Sequence, residues 1–255
     1  MNDTNDTNDT RDIVAGRNAV RELLRSGRRT VNKVLLSQQA RGEAITDIIE
    51  LAKTKGIPLH HVPPERLDVY DAEHNQGVIA EVAAAAYLDL DDLWREIKDK
   101  ENPFVVVLDG IEDPHNVGAI IRSSVAFGAH GIIMGKWRAT GLTETVARTS
   151  AGAIEHIPVA RVTNIAQSIE RLKELGLWVC GAEAGYKDIR TERFTFPLAL
   201  VIGSEGKGLH RLVRERCDFL VSIPFTSTVS SLNASCAAAV VLYEVYSQLH
   251  QPSAD

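Results

Sequence analysis

From Phe104 onward the chain alternates between two patterns, and that alternation restricts the fold more than any single motif does. Almost wholly apolar runs recur at 104–108, 131–134, 157–162, 177–181, 198–202 and 219–223. Runs of this kind lack the in–out alternation of a half-exposed strand and suit strands covered on both faces, as in a parallel sheet. Stretches with helical spacing lie between most of them, at 116–127, 143–154, 164–175 and 208–216, and a long one begins near 231. Strands alternating with helices define an α/β domain with a mostly parallel sheet. In an open sheet of that type, ligands bind at the C-terminal ends of the strands.

Residues 11–87 carry a smaller version of the same alternation. Val20, Leu23 and Leu24 predict a short helix ending near Gly27, and Ile45, Ile48, Ile49 and Ala52 predict another ending at Gly56. Segments 31–36, 57–62 and 77–82 read as strands, which makes this a small α/β unit of its own. Before it, Asn-Asp-Thr occurs three times between Asn2 and Thr10 with no apolar side chain, so residues 1–10 read as a disordered tail. Residues 88–102 (LDLDDLWREIKDKEN) are charged and stop at Pro103. They read as a linker with a short helix around Trp94, leaving 103–255 as the second domain.

The formal net charge is −6, which at first argues against a nucleic-acid partner. The excess acid is concentrated in the tail and in 88–103; segment 11–87 has 11 basic against 10 acidic residues, and 104–255 has 14 against 15. Overall charge therefore decides nothing about partners. No apolar run approaches the roughly 20 residues of a membrane span, and the polar start is unlike a secretory or transit signal, so a cytoplasmic protein is expected. Cys180, Cys217 and Cys236 have neither CxxC nor Cys/His spacing, and His60-His61 has no partner at ligand spacing. Neither a disulfide framework nor a metal site is expected, and Cys236 is expected to pack in the last helix.

Three polar, glycine-bearing segments follow strands of the second domain. In the first, 109–122 (DGIEDPHNVGAIIR), Asp113-Pro114 reads as a turn and Asn116 as a helix N-cap, with Arg122 six residues beyond it. His115 reads as a turn residue. The second, 200–209 (LVIGSEGKGL), is neither a phosphate-cradling loop, because Gly208 follows Lys207 where Ser or Thr is needed, nor a GxGxxG dinucleotide fingerprint. A loop that brings backbone close to a ligand remains open. The third, 222–235 (SIPFTSTVSSLNAS), reads as a strand end, a polar loop and a capped helix start. Taken singly, Asn116 and Asn233 read equally as helix caps and Glu205 as an exposed loop acid.

Taken together and in this order, the three segments resemble the signature motifs of the SpoU (TrmH-type) RNA ribose 2'-O-methyltransferases, which belong to the SPOUT class. The match runs through Asn116-Val-Gly-Ala-Ile-Ile-Arg122, Gly203-Ser-Glu205-Gly206 and Ile223-Pro…Ser231-Leu232-Asn233-Ala-Ser235. In the first domain, 16–24 (GRNAVRELL) and 74–78 (HNQGV) resemble the L30e-like substrate-binding domain of the RlmB type, so the likeness spans about 11–250. The resemblance implies a trefoil-knotted sheet domain, a homodimer through the knot region, and S-adenosylmethionine held by loops at Gly203, Ile223 and Leu232. It implies a guanosine of 23S ribosomal RNA as substrate; a tRNA 2'-O-methyltransferase and a non-catalytic RNA-binding protein of the same fold are the rival readings. It points to Arg122 for activating the ribose hydroxyl, with Asn116, Glu205, Ser231 and Asn233 around it. An arginine stays protonated, so holding a phosphate and stabilising a developing alkoxide suits it better than acting as a base. One departure from the family pattern is Ser227, where a glycine is usual three residues after the Ile-Pro proline.

Arg17, Arg21, Arg25 and Arg28 recur every three or four residues, so a helix there would align them in one stripe. Such a stripe is either a solvated basic face or a surface for RNA phosphates.

Overall fold

The computed structural model describes residues 11–71, 73–83, 86–137, 139–224, 226 and 231–250. The expected tail (1–10) and Ser227 lie outside these. The chain forms two compact units that divide between Ala86 and Tyr87.

The first unit consists of β1 (Arg11–Ala15), α1 (Arg17–Ser26), β2 (Val31–Ser37), α2 (Glu43–Thr54), β3 (Leu59–Val62), α3 (Pro64–Asp71) and β4 (Val78–Ala83). Its sheet has the order β1-β4-β2-β3, with β2 and β3 parallel and the other pairs antiparallel. Alternate residues separate the two faces: Val34, Leu36, Val78 and Ala80 pack under α1 and α2, while Leu35 and Ile79 pack under Leu67 of α3. Gly27 ends α1 in the left-handed conformation (φ 65°), as its sequence position predicts.

The second unit comprises α4 (Leu90–Ile97), β5 (Phe104–Asp109), α5 (Pro114–Ala126), β6 (Gly131–Gly135), α6 (Glu144–Thr149), β7 (Val159–Val162), α7 (Ile165–Glu174), β8 (Trp178–Asp188), β9 (Leu198–Gly203), α8 (Arg211–Arg216), β10 (Phe219–Ser222) and α9 (Ala234–Leu249). All six strands run parallel in the order β10-β8-β9-β5-β6-β7. Phe104, Val106 and Leu108 face the cluster beneath α5 and α9, whereas Val105 and Val107 face the one beneath α4, α7 and α8. Burial on both faces explains why these strands read as unbroken apolar runs. The order reverses at the β9–β5 neighbours, and the C-terminal rim of this sheet carries the site.

Residues 88–102 are not a linker. Leu88 continues the sheet edge by pairing with Ala160, and its backbone N–H donates to Val159 O at 2.9 Å. Asp89 caps α4 by accepting from Asp92 N (2.7 Å), and Leu93 and Ile97 are buried in the core. The charged majority of this segment is simply the solvent face of an amphipathic helix. Leu93→Ala should therefore destabilise the second unit by about 2–5 kcal/mol, the range for truncating a buried leucine. A change under about 0.5 kcal/mol in urea unfolding, as expected at a surface site, would contradict this packing.

Candidate active site

The three segments meet at the ends of β5, β9 and β10. Helix α5 starts one turn earlier than its sequence suggests. Asp113 is the N-cap, accepting from His115 N at 3.0 Å with Pro114 at the first helical position, so Asn116 lies inside the first turn and its side chain is not used as a cap. Asn233 does cap α9: its Oδ1 accepts from Ser235 N (3.0 Å), Cys236 N (3.4 Å) and Ser235 Oγ (2.6 Å). The other half of the same amide donates to Asn116 Oδ1 (3.1 Å) and Glu205 Oε2 (3.0 Å). One side chain thus ties all three segments together and starts a helix.

The glycine loop after β9 closes on itself, with Ser204 N donating to Gly208 O (3.1 Å) and Gly208 N to Ser204 O (2.9 Å). A Cβ on Gly203 would lie 2.3 Å from the Gly208 carbonyl carbon and 2.6 Å from Leu209 N, so only glycine permits this closure. Glu183 of β8, which also lines the cavity described next, braces the loop by accepting from Leu209 N at 2.8 Å. Between this loop, Val221–Ile223, Ser231–Leu232 and α9 lies a cavity of about 230 Å³, lined also by Glu205. Gly203, Ile223 and Leu232, the three residues expected at a cofactor, all line it.

Arg122 is placed differently. It is exposed in the third turn of α5 and makes no hydrogen bond or ion pair among the described residues. Six residues separate it from Asn116, about 9 Å along the axis and about 240° around the helix, so α5 does not present both to one point. Cys180 and Cys217 offer no nucleophile, because burial raises both thiols, Cys217 to about 12. Cys236 is exposed rather than packed. No group of three His, Cys, Asp or Glu that could hold a metal exists among the described residues, and no helix of those residues is long and apolar enough to cross a membrane.

The arginine stripe of the first unit is broken. Arg17 is bound by backbone oxygens of Gln76 and Arg41 (both 3.0 Å), and Arg21 and Arg25 share Asp47 and Glu22. Arg28 lies beyond the Gly27 cap, outside α1. Sequence spacing aligned the cations but could not reveal Asp47, which α2 brings alongside. Glu183 was missed as well, although it directly follows Ala182, the last β8 residue paired with β9, and so lies toward the ligand side of such a sheet.

Comparison with known proteins agrees with this geometry. The sequence model of the SpoU rRNA Methylase family matches residues 103–243, and that for RNA 2'-O ribose methyltransferase substrate binding matches 13–88. The chain belongs to the SpoU methylase family, whose members are RNA methyltransferases. YacO of Bacillus subtilis, named for the TrmH family of tRNA/rRNA methyltransferases, is 52% identical over 237 residues, covering 92% of this chain and 95% of its own. Among solved structures, the SpoU methyltransferase AviRb from Streptomyces viridochromogenes, in complex with the cofactor AdoMet, superposes with a TM-score of 0.79 at 29% identity, covering 98% of this chain and 95% of its own. An rRNA methyltransferase from Sinorhizobium meliloti gives 0.76 at 26% identity, covering 96% and 90%.

Proposed function

We propose that this protein transfers a methyl group from S-adenosylmethionine to the ribose 2'-hydroxyl of a guanosine in 23S ribosomal RNA. The observation that carries the reading is the Asn233 amide joining Asn116 and Glu205 at a cavity walled by the Gly203, Ile223 and Leu232 loops. The cavity suits the cofactor chemically: Val221, Ile223, Leu232 and Val241 offer apolar walls for a flat adenine ring, and the glycine loop 203–208 lines it without bulky side chains at Gly203, Gly206 and Gly208. When bound, S-adenosylmethionine supplies an electrophilic methyl on a positively charged sulfonium. The protein must then place the ribose oxygen, an effect worth at most about 7–11 kcal/mol. Asn116, Glu205, Ser231 and Asn233 do the placing, and Arg122 holds an RNA phosphate and stabilises the charge growing on the 2'-oxygen. The match to an rRNA methyltransferase over 96% of this chain, together with the substrate-binding model that matches 13–88, supports rRNA. The likeness of 16–24 and 74–78 to the RlmB type supports a guanosine.

Mapping 2'-O-methyl positions in total RNA from cells lacking the protein tests this reading. Loss of one guanosine signal in the large ribosomal RNA is expected. Loss of a tRNA signal would transfer the substrate to tRNA, and an unchanged map would overturn the assignment.

A homodimer is part of the same reading. Val240 and Tyr243 on α9 are 44% and 57% exposed, and the Tyr243 ring packs edge-on to Phe127 at 5.8 Å just beyond α5. An apolar helix face left open in this way suits a second copy. Val240→Asp should shift the mass in light scattering from dimer to monomer without unfolding, since Val240 contributes little to the core. A dimer of unchanged stability would place the interface elsewhere.

A further inference from the structure

The parallel sheet carries a second cleft on its C-terminal rim, over the half of the sheet that the cofactor cavity leaves unused. The cofactor cavity lies over the β8–β9–β10 half. Over β5, β6 and β7 the Trp137 indole stands 75% exposed between two lobes that it lines jointly. One lobe, of about 660 Å³, is walled by Tyr87, Lys136 and Arg161, and the other, of about 320 Å³, by Asp109, Asn164 and His210.

The polar groups around this indole are left with unused donors. Asp89 accepts from Asp92 N, Asp92 is ion-paired with Arg95, and Asp109 accepts both His210 N (2.7 Å) and the His210 ring (2.9 Å). Asn164 Oδ1 is taken by Gln167 N (3.2 Å). Among the described residues, what remains open to the cleft is the Lys136 ammonium and the Asn164 amide N–H groups, both on exposed residues, while Arg161 Nε has no partner there but is buried. Arg161 is already fixed, lying 4.9 Å from the Tyr87 ring centre and donating to Lys136 O at 3.2 Å. A bare aromatic face flanked by donors and a cation fits a flat, acceptor-rich, anionic ligand. A nucleotide has that chemistry: its base can stack on the indole while its phosphate meets the cation.

We propose that the Trp137 cleft is a second RNA subsite, which holds an unpaired nucleotide other than the one methylated. This rests on the RNA-methyltransferase reading above, and its test is independent of methyl transfer. The full-length protein, without cofactor, is titrated with an unstructured single-stranded ribo-oligonucleotide, following oligonucleotide anisotropy and tryptophan fluorescence. Trp137→Ala should weaken binding about 5- to 150-fold, the range that base–aromatic stacking supplies, while Trp137→Phe retains most of the affinity. S-adenosylmethionine affinity and thermal midpoint should stay at wild-type values in both variants. Oligonucleotide affinity of Trp137→Ala within twofold of wild type would overturn the subsite. Unchanged RNA affinity with an altered oligomeric mass would assign the indole to a protein interface instead. If wild-type protein methylates RNA while Trp137→Ala binds it normally, the subsite alone falls. If the oligonucleotide is bound through Trp137 but the methylation map is unchanged, the catalytic reading alone falls.

Discussion

Arg122→Ala is expected to lower the single-turnover rate of methyl transfer by about 10²–10³-fold, the loss typical of removing one group that stabilises a developing oxyanion. Cofactor affinity should remain within about twofold of wild type, because Arg122 does not line the cavity. The exposed side chain makes no hydrogen bond or ion pair among the described residues, so the thermal midpoint should not move. Arg122→Lys discriminates further. It keeps the positive charge but loses the planar fork that engages phosphate through two parallel hydrogen bonds, so it too should be strongly impaired. A rate for Arg122→Ala within a few-fold of wild type on substrate RNA would remove this residue from the chemistry. The placement of Arg122 away from Asn116 on α5 adds a second expectation. If the dimer brings α5 of one copy to the cavity of the other, mixing Arg122→Ala with Asn233→Ala protein should restore activity in the heterodimers.

Gly203→Ala should abolish measurable S-adenosylmethionine binding, and the reason lies inside the loop rather than in the ligand. The added methyl would meet the Gly208 carbonyl carbon at 2.3 Å and Leu209 N at 2.6 Å, and both are backbone atoms that cannot rotate away. Relief requires breaking the Ser204–Gly208 pair of hydrogen bonds, which opens the wall of the cavity. Gly206 provides the control within the same loop, since nothing lies within 4 Å of its Cβ position, although its φ of 76° leaves alanine there strained. Gly206→Ala should weaken the cofactor by much less than Gly203→Ala. Calorimetry that ranks them the other way would show that the ligand, not the closed loop, sets the need for glycine at 203.

How far the sequence could be read depended on burial. Strands β5 and β9 were plain because both faces are covered, leaving no polar residue to interrupt the run. β1 gave no signal: it begins Arg11-Asp12 and pairs on one side only, at the edge of its sheet. α3 buries one residue, Leu67, and a single buried position has no period. β8 continues to Asp188, beyond the apolar stretch that announced it, and those extra residues are mostly exposed. At the site, the Asn233 cap could be read locally, but Asp113-Pro114 displaced Asn116 as the cap of α5 because a proline at the first helical position needs no N–H partner. The meeting of Asn233 with Asn116 and Glu205 spans 117 and 28 residues of chain and has no signature in spacing. Only the likeness to a family grouped them.

Asn233 also limits how this three-segment junction can change over time. Its carboxamide has two ends, and both are committed: the oxygen begins α9, and the nitrogen holds the first and second segments. A substitution at Asn116 or Glu205 leaves that nitrogen short of an acceptor, and one at Asn233 frays the helix and releases both loops at once. Effects at the three positions should therefore be strongly non-additive, with the double variant little worse than either single one. Drift at this centre is confined to paths on which all three residues change in concert. A loop transplanted from a distant relative would be accepted only if the other two segments travelled with it.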